Sequence, residues 1–249
     1  MKTVCFDLWG DWGHFKKFYT TASPLTFHVP PITAVKGIIG AILGLSNKPD
    51  APSFYLDELK GVSIAVQIIK PIKTYRMGIN WIETKKAKYL ARIPSEKGRY
   101  QTIIEVLKEP AFRICVVSEL AEKEQLLDQL EKKLISHQSV YTPYLGISEF
   151  LANFSYYRTF HAQRRISQDY VEIESIVPLD VVESEEENFL KIEPGKVYQR
   201  DRIPVSMNKE RMVTKYTAVL YEMNTYSLKL KCKEFWELEN GPKICFFHD

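Results

Sequence analysis

Between residues 70 and 108 the chain carries ten Lys or Arg against three Glu, and Tyr75, Trp81, Tyr89 and Tyr100 are interleaved among the cations. Charged groups of this kind follow a phosphate backbone, whereas aromatic rings stack on unpaired bases at roughly 1–3 kcal/mol per base. Single-stranded RNA, whose bases are free to stack, matches that mixture. Lys73, Arg76, Lys85, Lys86, Lys88, Arg92 and Arg99 are the candidate contacts. The plainer alternative is a solvated hairpin whose lysines keep an exposed edge from aggregating.

Two further sets of residues could do chemistry. Lys16, Lys17 and Tyr19 precede a double proline, Pro30-Pro31, and an apolar helix follows whose first turn holds Thr33 and Lys36. Prolines are tolerated ahead of a helix, and free N–H groups at a helix start can meet a phosphate. Farther on, Arg158, His161, Arg164 and Arg165 cluster just before the acidic stretch that starts at Asp169, which could equally pair with them. Catalytic patterns are scarce: there is no phosphate-binding glycine loop, His-Glu-x-x-His or Gly-x-Ser-x-Gly. Metal-free RNA cleavage needs only a base, an acid and a cation. His14 with Lys16, Lys17 and Tyr19 could supply them, and so could His161 with Tyr157 and Arg164. A lone His beside cations is more often a surface or RNA-contact residue, so no catalytic residue is expected.

The net charge of +3 conceals a division: residues 70–108 sum to +7 and residues 169–193 to −8. Such separation suits one surface for a polyanion and another for solvent or a basic neighbour. The 249 residues suffice for one large domain, or one domain with an appendage. Cys5, Cys115, Cys232 and Cys245 are scattered without metal-ligand spacing, so reduced thiols in a cytoplasmic protein are expected, with no metal and no cofactor. The longest apolar run, Val35 to Leu45, is broken by Lys36 and glycines and is too short for a membrane span. Met1-Lys2 leads straight into an alternating segment, so no signal peptide is expected.

The elements that would position these residues read as strand, helix, strand, insertion, strand, helix, strand. Val4, Phe6 and Leu8 alternate with Cys5, Asp7 and Trp9 over 2–9. A glycine-rich helix spans about 33–46, with strands at 62–69 and 112–118. Leu120, Leu127, Leu130 and Leu134 mark a second helix, and 153–157 a fourth strand. This is the split βαβ of a ferredoxin-like, RNA-recognition-type α+β domain. The insertion at 70–110 reads as a long β-hairpin with turn signals at Met77-Gly78 and Lys97-Gly98. Residues 1–160 would form this domain, with a boundary near 160–170 and a small, mostly β C-terminal subdomain over 161–249.

Phe15-Lys16-Lys17-Phe18-Tyr19, Val29-Pro30-Pro31-Ile32-Thr33 and the glycine run Gly37 to Gly44 resemble the N-terminal signature of the Cas-five family. Thr142-Pro-Tyr-Leu-Gly-Ile-Ser-Glu149 is similar to its second hallmark, and the loop is closest to the type I-B branch. Together these segments cover about a fifth of the chain. The resemblance implies antiviral defence as a subunit of Cascade, the type I CRISPR surveillance ribonucleoprotein. It implies a repeat-associated (RAMP) body whose β-hairpin thumb grips the 5′ handle of the CRISPR RNA and caps the backbone filament. Partners would be that RNA, the backbone subunit and the large subunit, with target DNA only indirect and no membrane. Lys16, Lys17 and Tyr19 match the loop presented to the handle. One subtype cleaves precursor RNA itself, which makes a metal-independent endoribonuclease the alternative.

Overall fold

Residues 2–9 form a strand that is buried on both faces from Thr3 to Phe6, with Val4, Phe6 and Leu8 on one side. A computed structural model describes residues 1–20, 23–82, 99–182 and 188–248. In chain order the main elements are β1 (Lys2–Trp9), α1 (Ile32–Leu43), β2 (Val62–Ile68), β3 (Thr74–Ile82), β4 (Arg99–Lys108), β5 (Ala111–Ser118), α2 (Glu124–Ile135) and β6 (Asn153–Arg165). They are followed by β7 (Tyr198–Met207), β8 (Val213–Glu222), β9 (Phe235–Leu238) and β10 (Lys243–Ile244). The architecture is mixed α+β, mostly strands with few helices. One antiparallel sheet runs in the order β10-β9-β6-β1-β5-β2.

On one side of this sheet Val4, Phe6 and Leu8 meet Val35, Ile39 and Ile42 of α1 and Leu127, Leu130 and Leu134 of α2 in a single core. Ile203, Val205, Val219, Tyr221 and Phe247, from the C-terminal part of the chain, join the same cluster. The expected boundary near 160–170 meets the end of β6, a 13-residue strand, and the chain then returns to its edge as β9. Helix α1 packs tightly where glycine allows it: a Cβ on Gly40 would lie 3.0 Å from Tyr55 Cβ. It ends at Gly44, whose φ of +83° favours glycine and whose N–H caps the Gly40 carbonyl.

Two expectations are corrected. Cys5 and Cys115 are joined by a disulfide rather than held as free thiols, because the β1–β5 register sets them directly opposite with Cα atoms 4.2 Å apart. Cys232 and Cys245 are buried free thiols. Met77-Gly78 is not a turn: Gly78 sits mid-strand, paired with Ile103 in the β3–β4 ladder. Lys97-Gly98 lies outside the described residues.

Candidate nucleic-acid interface

The β3–β4 hairpin sorts its side chains by face, since directly opposed residues share one side of a ladder. Tyr75, Met77, Ile79 and Trp81 line up with Val106, Ile104, Thr102 and Tyr100 on one face. At the hairpin base this face packs on Phe150, with Trp12 and Ile147 beside it. Arg76, Asn80 and Ile82 oppose Glu105, Gln101 and Arg99 on the other. The rings therefore lie on the face opposite Arg76 and Arg99, a separation that simple interleaving in the sequence does not reveal. Lys73, Arg76 and Arg99 are exposed and make no ion pair among the described residues. Lys70 instead pairs with Glu109 at 3.1 Å. Lys85, Lys86, Lys88, Arg92 and Tyr89 lie outside the described residues.

The basic loop docks at the foot of this hairpin. Phe15–Lys16 pairs with Thr26–Phe27, and the Glu105 N–H donates to the Pro24 carbonyl at 2.9 Å. Lys16 and Tyr19 point to solvent. Lys17 turns inward to Asp201 of β7, 2.7 Å away, with both side chains largely buried. Burial opposes the charge on Lys17, but Asp201 more than offsets it and raises the ammonium pKa above its usual value. His14 is buried, with Nδ1 2.7 Å from the Glu105 carbonyl, and burial lowers its pKa. His28, which the sequence reading did not single out, lies with Nδ1 3.3 Å from Tyr221 Oη and is also lowered by burial, with Lys17 adding to the effect.

Loop and second hallmark come together although some 130 residues separate them. The His14 N–H donates to the Leu145 carbonyl at 2.9 Å, and Gly146 rests directly on the His14 backbone. Beside this junction, between α1 and residues 141–146, opens a cavity of about 560 Å³. Sequence reading missed it, although Tyr141, Tyr144 and the glycines were in view.

The remaining candidates go elsewhere. Thr33 and Lys36 are buried and line a smaller cavity of about 320 Å³ with Lys60 and Lys209. Arg164 and Arg165 pair with Glu234 and Glu237, not with the acidic stretch, because β9 lies alongside β6. His161 lies 3.2 Å from the terminal amine of Met1, and Tyr157 stacks under the Arg113 guanidinium. His161, Tyr157 and Arg164 thus each have other partners. Among the described residues no cluster of three metal-ligating side chains occurs, and no helix is long and apolar enough to cross a membrane.

Residues 3–218 match the family described as CRISPR-associated protein (Cas_Cas5). The chain belongs to this family. Its fold is similar to a CRISPR protein from Archaeoglobus fulgidus, at 13% identity over 100% of both chains with a TM-score of 0.56. A chain of a CRISPR RNA-guided surveillance complex is similar at 12% identity over 91% of both chains, TM-score 0.50. A chain of the Type III-B Cmr-beta complex is similar at 10% identity, covering 92% of this chain and 86% of the other, TM-score 0.51. No curated protein matches. The Cas5 assignment agrees with the resemblance read from residues 15–44 and 142–149.

Proposed function

We propose that this Cas5 protein is a non-catalytic, RNA-binding subunit of a type I Cascade complex, nearest to type I-B. It would hold the 5′ handle of the CRISPR RNA and cap the backbone filament. The order β6-β1-β5-β2, with a helix after β1 and another after β5, supports a ferredoxin-like body. The β3–β4 hairpin would be its inserted thumb, and residues 161–249 a β-rich C-terminal unit docked on it. The observation that carries the reading is the set of exposed hairpin cations, Arg76 and Arg99 on one face and Lys73 at its base, which form no ion pair among the described residues and stand next to a loop that exposes Lys16 and Tyr19. Lys17, tied to Asp201, takes a supporting role and positions that loop.

Similarity to a surveillance-complex chain supports a ribonucleoprotein setting, with backbone and large subunits as partners, target DNA only indirect and a cytoplasmic location. A non-catalytic role is supported by the burial of His14 and by the ion pair that holds Lys17. Incubation of the purified protein with repeat RNA in EDTA tests the proposal. Tight binding without cleavage is expected, and a single discrete cut abolished by His14→Ala or His161→Ala would overturn the non-catalytic role.

A further inference from the structure

We propose that the cavity beside α1 is a pocket for one unpaired nucleotide of the bound RNA; the inference rests on the RNA-binding reading above. At about 560 Å³ the cavity falls within the roughly 300–1,000 Å³ of small-ligand sites. Tyr141 and Tyr144 present exposed rings on one side, Tyr55 lies inside, and Lys48 and Arg211 stand at the rim. The lining includes two cations and no carboxylate, so it favours an anionic ligand with a flat apolar part. Arg211 reaches the Asn47 carbonyl at 3.4 Å, which holds the guanidinium across the mouth.

Gly37 forms part of the floor, and a Cβ there would meet nothing within 4 Å. Glycine weakens a helix relative to Ala. No described residue occupies that space, which leaves room for a base to lie flat on the helix backbone. Gly146 lines the pocket and rests on the backbone of His14, two residues before the exposed Lys16 of the basic loop.

The test measures the affinity of full-length protein for its own repeat-derived RNA, with each handle base removed in turn. One position should lose roughly 5- to 150-fold, the range for a single stacked base. Tyr144→Ala and Gly37→Leu should lose affinity similarly and become indifferent to that position, while melting no lower than wild type. Gly37→Ala should melt higher than wild type. A flat scan, or wild-type affinity in both pocket variants, would overturn the pocket. So would Gly37→Leu that binds RNA normally yet fails to enter the complex, since a protein segment would then be the occupant. If binding falls on charge reversal of Lys73, Arg76 and Arg99 while the scan is flat, only the pocket fails. If no variant alters binding, the RNA reading fails with it.

Discussion

Gly146 passes over the backbone of His14 with no room for a side chain: a Cβ there would sit 2.0 Å from the His14 carbonyl oxygen. Its φ of +92° already demands glycine. Backbone strain and a backbone clash act together in Gly146→Ala, so a loss of at least about 3 kcal/mol is expected. Denaturant unfolding would show it as a lowered midpoint, accompanied by weaker RNA binding as the loop shifts. A wild-type midpoint would mean that the two motifs are not locked together.

Lys17 and Asp201 tie the basic loop to β7 from positions largely shielded from water. Removal of one partner strands the other, at a cost of about 3 kcal/mol for Asp201→Asn. The double variant Lys17→Met/Asp201→Leu should recover much of that loss. Additive losses in the double variant would refute the coupling.

His14 and His28 both have pKa values lowered from the ordinary 6.5, burial being the first cause. The unfolded chain therefore takes up protons that the folded one resists. Stability is full above 6.5 and is lost as pH falls from there towards the depressed folded values. The melting temperature should drop between pH 7.5 and 5.5, and His14→Asn should reduce that drop. An unchanged pH dependence in the variant would remove His14 from the account.

The bond between Cys5 and Cys115 closes a sequence separation of 110 residues, worth about 5 kcal/mol on a chain-entropy estimate. Protein denatured without reductant should titrate two thiols, and four after reduction. Four thiols in both conditions would contradict the bond.

Local pattern made much of the fold legible in the sequence. Alternation marked β1, the leucine stripe marked α2, and Pro31 with the glycines bracketed α1 to within a few residues. Relations set by register were not legible. Cys5 faces Cys115, and Arg164 and Arg165 find Glu234 and Glu237, only because distant strands become neighbours. Gly78 read as a turn because glycine is common in turns, yet here its missing side chain leaves Gln101 Nε2 just 3.2 Å from where a Cβ would stand. The candidate site was half legible. Arg76 and Arg99 lie on the paired strands β3 and β4, but their separation from the rings depends on strand pairing, and the inward turn of Lys17 depends on Asp201, 184 residues away.

The central claim is that the exposed cations of the hairpin hold phosphates of single-stranded RNA. A salt titration of RNA affinity, comparing wild type with a Lys73→Glu/Arg76→Glu/Arg99→Glu variant, tests it most directly. Loss of three phosphate contacts should weaken binding and flatten the log–log salt slope by roughly 2, at about 0.7 per contact for a single strand. An affinity and slope equal to those of wild type would contradict the account.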